Sequence, residues 1–315
     1  MPDPSSSVPS PGGPLMLSDS GLETDLVFLK GVDLPEFASF PLLRDEAGRS
    51  LLENYYREHA QVAADHGLGF VFETPTWRSS TGWGARLGFD QAQLDEVNRD
   101  AVSLVRGVRD SSPGLTGPTT ISGVIGPRGD GYVVGEAMTA EQARDYHRRQ
   151  VEAFADAGCD MVSTMTMTYA AEGSGVALAA RDAGVPVAVS FTVETDGRLP
   201  DGSTLEDAIA AVDAATDRYV RYFGVNCAHP DHLSPTVAGD ADWLGRIGWL
   251  RANASRQSHA ELDAAETLDD GDPVELAAQY VELRSRLPAL TVVGGCCGTD
   301  VRHVRAIAEA LSGAR

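Results

Sequence analysis

A chain of 315 residues with 43% apolar content has room for one large barrel or two ordinary domains, and enough apolar side chains for a buried core. Its formal net charge of −21 argues against nucleic acid or an anionic membrane as partner, since both attract basic surfaces. No apolar stretch approaches the ~20 residues of a membrane span, and the Pro/Ser/Gly-rich start lacks the basic flank and apolar run of a targeting peptide.

Residues 1–14 therefore read as a disordered tail of a cytoplasmic protein, with one folded domain over 15–315. Short β-rich runs follow at Leu15–Gly21, Gly69–Thr74, Thr120–Gly126, Asp160–Met165, Pro186–Thr192, Tyr222–Cys227, Ile247–Asn253 and Leu290–Cys296. Several are almost continuously apolar, as in Val187-Ala188-Val189-Ser190-Phe191, the pattern of strands buried on both faces. Helical spacing fills the intervals: Ser50–His66, Asp90–Val108, a capping box at Thr139 opening a helix to Ala157, Glu172–Ala183, Thr204–Thr216, Pro273–Arg286 and Asp300–Leu311. The connection Asp231–Arg246 carries the weakest helical pattern.

This alternation predicts an α/β fold of the (β/α)8 TIM-barrel type. A doubly wound sheet would need a glycine-rich phosphate turn after its first strand, and Asp19-Ser20-Gly21-Leu22-Glu23 has no G-x-G-x-x-G pattern. Lys30 is the only lysine and sits in a loop or helix end, which speaks against Schiff-base chemistry.

In a barrel, active sites lie at the C-terminal strand ends. Two of these ends carry Gly224-Val225-Asn226-Cys227 and Val293-Gly294-Gly295-Cys296-Cys297-Gly298-Thr299. Three of the four cysteines thus converge over one mouth, while Cys159 precedes the fourth strand on the opposite rim and reads as a packed residue. Cysteines in a reducing compartment point to metal or catalysis before disulfides. Three thiolates suit one Zn²⁺ with an open fourth position, and such a site binds an incoming thiol as a nucleophilic sulfur. Thiolate alkylation by an activated methyl group is the natural chemistry; a closed structural zinc site is the alternative.

The two cysteine motifs resemble the zinc-binding signature of the homocysteine S-methyltransferase family, and the resemblance runs from Leu15 to the C-terminus. Ser122-Gly123-Val124-Ile125-Gly126-Pro127 and Ser190-Phe191-Thr192 are similar to its third- and fifth-strand segments. The resemblance implies a (β/α)8 barrel with Cys227, Cys296 and Cys297 as zinc ligands. It also implies methyl transfer from a small sulfonium or ammonium donor to a thiol, homocysteine giving methionine. The family's strand-four glutamate is missing from Thr164-Met165-Thr166, and Glu23 stands where a glycine is usual.

Asp19, Glu23, Glu73, Thr74 and Asn226 are the candidate substrate-binding residues, with Glu73 or Glu23 replacing the absent carboxylate opposite an ammonium. Gly294, Gly295 and Gly298 read as N–H donors to sulfur. His229 and His259 stand as alternative ligands or loop residues, and Trp77 with Trp83 as an aromatic wall for a cationic donor. Two other readings remain open: a zinc- or thiol-binding regulatory protein without turnover, and a methyltransferase for a different thiol.

Overall fold

The computed structural model describes residues 8–112 and 114–313. Eight parallel strands close into a barrel in sequence order: β1 Met16–Leu17, β2 Gly69–Glu73, β3 Thr119–Ile125, β4 Met161–Thr164, β5 Val187–Phe191, β6 Tyr222–Asn226, β7 Ile247–Ala252 and β8 Val292–Gly295. Met16 pairs with Gly69 on one side and Val292 on the other, so the shortest strand closes the cylinder. Beyond it the chain stays paired with β8, through Ser18 N–H to Val293 O at 2.8 Å and Gly295 N–H to Asp19 O at 2.9 Å. The expected (β/α)8 architecture is the one found, and strand bounds differ from the sequence reading by a residue or two except at β1, which ends at Leu17 instead of Gly21.

The outer helices begin where cap chemistry puts them. Asp90 and Thr139 each form a capping box, with Gln93 and Gln142, ahead of Gln91–Asp110 and Ala140–Asp156. Asp45, Thr204 and Asp272 cap Glu46–Asp65, Leu205–Thr216 and Pro273–Arg286. Such a cap contributes about 1 kcal/mol by satisfying an otherwise orphaned N–H. Ala170–Ala183 ends on Gly184 in the left-handed conformation, at φ +70°, which costs glycine nothing. The weak stretch 231–246 splits into Pro230–Leu233 and a 3₁₀ turn Asp242–Arg246. Pro235 and Gly239 between them interrupt any continuous helix.

Two apolar layers result. Strands and helices enclose the larger one, while Met16, Val71, Met161, Ala188, Tyr222, Trp249 and Val292 fill the barrel interior. Val8 joins this inner cluster. Of the tail expected over 1–14, residues 1–7 lie outside the described residues, and 8–14 are not free. Gly12 N–H donates to Ala289 O at 3.0 Å, and Thr291 Oγ1 donates to Ser10 O at 2.8 Å. A single apolar residue in a polar stretch finds the barrel's open bottom, and backbone pairing holds it there. Among the described residues no helix is long and apolar enough to cross a membrane.

After β1 the chain does not run directly to its first outer helix. Residues 22–44 fold into short helical turns across the mouth, carrying Glu23, Phe37 and Ser39 over the C-terminal strand ends.

Candidate functional site

β6 and β8 deliver the sulfurs. Cys227 follows β6 with φ +54°, a strained conformation for a residue with a Cβ, of the kind that structures retain at functional sites. Cys296 and Cys297 follow β8. The three Sγ atoms lie within 4.8 Å of one another, against about 3.8 Å between sulfurs on a tetrahedral zinc with bonds of about 2.3 Å. The donor set therefore fits a thiophilic ion after small side-chain adjustment.

Three free thiols were expected. Instead, Cys227 and Cys296 are joined as a disulfide, with Cα atoms 5.4 Å apart, and only Cys297 and Cys159 are free. Strand ends that bring sulfurs close enough to share a metal also bring them within bonding reach, and the bond must be reduced before both can act as thiolates. Burial pushes the Cys297 thiol up to about 11, against the opposing Tyr132 hydrogen bond. Burial also raises Cys159, to about 12, and it packs against the core away from the mouth.

A cavity of about 580 Å³ opens beside the sulfurs. The three candidate metal ligands and five candidate substrate-binding residues all line it: Asp19, Glu23, Glu73, Thr74, Asn226, Cys227, Cys296 and Cys297. Asn226 ties strand ends together and faces sulfur at the same time. Its Oδ1 accepts from Ser190 Oγ at 2.6 Å and Thr166 N–H at 2.9 Å, and its Nδ2 points at Cys296 Sγ, 3.9 Å away. Thr74 is taken up by the fold, with Oγ1 accepting from Val124 N–H at 2.9 Å and meeting Thr76 Oγ1 at 2.7 Å.

One central residue of the cavity was missed. Arg251 on β7 is 4% exposed, and its Nη1 meets Glu73 Oε2 and, at 2.7 Å, Asp19 Oδ1. Nε donates to Gly295 O at 2.8 Å and Nη2 to Ser20 O at 2.6 Å. Burial alone would depress the guanidinium; the carboxylates of Asp19 and Glu73 outweigh it and raise it. Burial pushes the Glu73 carboxyl up to about 8 despite Arg251, with Asp19 adding to the rise. An arginine inside the apolar run Ile247–Asn253 was the available signal, because a charge in a buried strand requires a partner. Glu23 differs from both other carboxylates. It accepts from Ser39 Oγ at 2.7 Å, no basic side chain among the described residues forms an ion pair with it, and burial raises its pKa.

The glycines pack rather than donate to sulfur. Gly295 N–H is spent on Asp19 O, and Gly298 N–H on Thr24 Oγ1 at 3.1 Å. A Cβ on Gly294 would collide with Ser18 and lie 2.6 Å from Asp19 O, so the first and last strand ends can approach only without one.

The histidines are not turned toward the sulfurs. His259 has Nε2 2.6 Å from Cys227 O and Nδ1 3.1 Å from Glu194 Oε1. His229 Nδ1 accepts from Asp231 N–H as a helix cap, and burial pushes it down to about 4. The tryptophan wall is occupied by the protein's own cations: Arg78 lies 4.6 Å from the Trp77 ring and 4.0 Å from Trp83, and Arg86 lies 4.5 Å from Trp83. Trp77 still lines the cavity; Trp83 does not.

Tyr132, in the loop after β3, closes the cavity roof with its hydroxyl 3.7 Å from Cys297 Sγ and its ring stacked on His259 at 4.1 Å. Beyond it lies an outer vestibule of about 1130 Å³ that shares Thr24, Phe37, Trp77, Tyr132 and Cys297 with the inner cavity and carries Asp130, Asp263 and Asp269. Asp130 Oδ1 accepts from Tyr132 N–H at 2.8 Å, the turn chemistry expected of an Asp-Gly pair.

A parallel barrel with a three-sulfur, metal-type centre at the C-terminal rim and two adjoining chambers is the class that fold and site define. The chain belongs to the homocysteine S-methyltransferase family, whose model matches residues 16–311. It is similar to homocysteine S-methyltransferase 3 of Arabidopsis thaliana, 25% identical over 182 residues. That match covers 57% of this chain and 51% of the relative, so it spans about half of that protein. A solved structure of the homocysteine methyltransferase MmuM from Escherichia coli, in an oxidized form, aligns with a TM-score of 0.74 at 21% identity over 93% of this chain and 94% of that one. Its metallated form aligns at 0.72 with 19% identity over 94% and 96%. At these identities the likeness shows the fold.

Proposed function

We propose that the reduced chain is a zinc-dependent S-methyltransferase that moves a methyl group from a small sulfonium or ammonium donor to a thiol, homocysteine giving methionine. The convergence of Cys227, Cys296 and Cys297 over the mouth of a barrel of this family carries the reading. MmuM has been solved in a metallated form on the same fold, which supports a metal here. Cys227, Cys296 and Cys297 would hold one zinc ion per chain. When bound, it supplies the Lewis acidity that keeps an acceptor sulfur deprotonated at neutral pH.

The chain's own residues supply orientation and dryness. Asn226 directs a side-chain N–H at Cys296 and offsets part of the negative charge that gathers on three thiolates. Tyr132 and Phe37 stand between the inner cavity, where the acceptor sulfur sits, and the vestibule, where the donor sits. The vestibule's Asp130, Asp263 and Asp269 outnumber its one lining arginine, Arg78, and favour a cationic donor. In the transfer the acceptor sulfur's electron pair forms the new S–CH₃ bond. The donor's bond to that methyl breaks, and its electron pair leaves with the donor heteroatom, which becomes neutral. The barrel contributes by holding both partners in line and excluding water.

Zinc-edge X-ray absorption on reduced, zinc-loaded protein, with and without homocysteine, tests the reading. A change from three sulfurs and one lighter atom to four sulfurs is expected, together with methionine formation when S-methylmethionine, S-adenosylmethionine or betaine is supplied. An unchanged shell with no methylated thiol would overturn it.

A further inference from the structure

One buried polar atom of the inner cavity has no counterpart in the fold. Tyr56, on the helix Glu46–Asp65, is fully buried and is one of the residues that line the cavity, and its hydroxyl has no hydrogen-bond partner among the described residues. Its neighbour Tyr55 shows the usual arrangement, with Oη accepting from Ser20 N–H and paired with Ser20 Oγ, both at 3.1 Å. Burial first, then the carboxylates of Asp19, Glu23 and Glu73, raise the Tyr56 phenol far above its ordinary value, so it stays a neutral hydroxyl among acidic groups.

Those carboxylates are not equivalent. Arg251 already pairs with Asp19 and Glu73, whereas Glu23 lines the cavity with the Ser39 hydroxyl and its own backbone N–H on it and no ion pair among the described residues. Glu23 is a part-buried carboxylate with no cation on it, and the fully buried Tyr56 hydroxyl without a partner is expensive to leave unsatisfied. A small group with a positive charge and several N–H donors completes both at once. An anionic group would be repelled by Glu23. Both side chains line the cavity into which Cys297 opens, so the same ligand reaches the sulfurs with its other end.

We propose that Glu23 and Tyr56 form the subsite for a primary ammonium on the thiol acceptor. Its N–H groups donate to the Glu23 carboxylate and to Tyr56 Oη. Arg251 sets this choice by withdrawing Asp19 and Glu73 from the task. The proposal rests on reading the cavity as a thiol-acceptor site.

The test is titration calorimetry of reduced, zinc-loaded protein with L-homocysteine and with 4-mercaptobutanoate, which has the same chain and thiol but no ammonium. The wild type should bind homocysteine about ten- to a hundredfold more tightly, the range of a charge-assisted hydrogen bond. Glu23→Gln and Tyr56→Phe should each erode that preference and leave 4-mercaptobutanoate within about twofold of wild type, given that neither removes a contact to it. A wild type without preference, or variants that keep the full preference, would overturn the subsite, and methionine formation in the same preparations would leave the methyltransferase reading standing. A preference that vanishes in both variants, in protein that methylates no thiol, would uphold the subsite and overturn the reaction. Binding of neither thiol would overturn both.

Discussion

Arg251 and Glu73 stand 178 residues apart in the chain, on β7 and β2, and their side chains meet inside the barrel mouth. Asp19 joins them from the end of β1. The three charges span the junction where the first and last strands close, and none is more than marginally exposed.

Replacing the cation alone should therefore be severe. Above about pH 8, where Glu73 is ionised, Arg251→Met leaves two buried carboxylates uncompensated and should cost about 3–5 kcal/mol, the usual penalty for breaking a buried ion pair from one side. Adding Glu73→Gln should restore part of the loss, since it removes one of the orphaned charges. Urea denaturation of the two single variants and the double variant measures the coupling. A double variant as weak as the sum of both singles would show that the charges do not act together.

The same pair makes stability depend on pH. Glu73 titrates at about 8 in the folded protein, whereas a glutamate in the unfolded chain titrates near about 4.3. Between these values the folded state holds a proton that the unfolded state has released, so its stability is highest at the acid end and falls as pH rises to about 8. Thermal melts between about pH 5 and about pH 9 should show that decline, and Glu73→Gln should flatten it.

Metal retention should divide the four cysteines. Serine at 227, 296 or 297 should each weaken zinc binding by more than about a hundredfold, because even partners outside the coordination shell are worth about 10–100-fold. Asn226→Ala should fall in that lower range, and Cys159→Ser should leave zinc unchanged. Metal content after dialysis against a weak chelator reports all five. Stoichiometric zinc in Cys297→Ser would remove the centre as described.

Most of the fold was legible because it is periodic. Buried parallel strands such as Val187–Phe191 leave continuous apolar runs, and caps such as Thr139 mark helix starts. The sulfur centre was legible because barrel topology alone brings the ends of β6 and β8 to one rim. What escaped depends on contacts between distant residues. Arg251 was visible as a charge in an apolar run, but nothing local names Asp19 and Glu73 as its partners. Tyr56 has the spacing of any core residue on an amphipathic helix, so its unsatisfied hydroxyl shows only in three dimensions. Val8 looked like part of a polar tail until the barrel bottom supplied a place for it. Of the two tryptophans read as a wall, only Trp77 lines the cavity, and Arg78 and Arg86 occupy the ring faces.

Val8 itself offers a direct check on the barrel plug. Val8→Ser removes a buried apolar side chain from the inner cluster and leaves a hydroxyl there, which should cost about 2 kcal/mol. A melt unchanged from wild type would show that the Val8 side chain contributes nothing to the barrel interior.

Tyr56 should separate stability from binding. Its hydroxyl is buried with no partner among the described residues, so removing it relieves a penalty instead of breaking a bond. Tyr56→Phe should leave the ligand-free protein as stable as wild type, or more stable by up to about 1 kcal/mol. Ligand should reverse the order. A ligand at a hundred times its Kd stabilises the folded state by about 2.7 kcal/mol, and a variant that binds ten times more weakly keeps only about half of that at the same concentration. Melting curves of both proteins with and without homocysteine should therefore converge or cross, with the larger upward shift in wild type. If Tyr56→Phe instead loses more than about 1 kcal/mol without ligand, the hydroxyl is bonded within the fold and has no free valence for an acceptor.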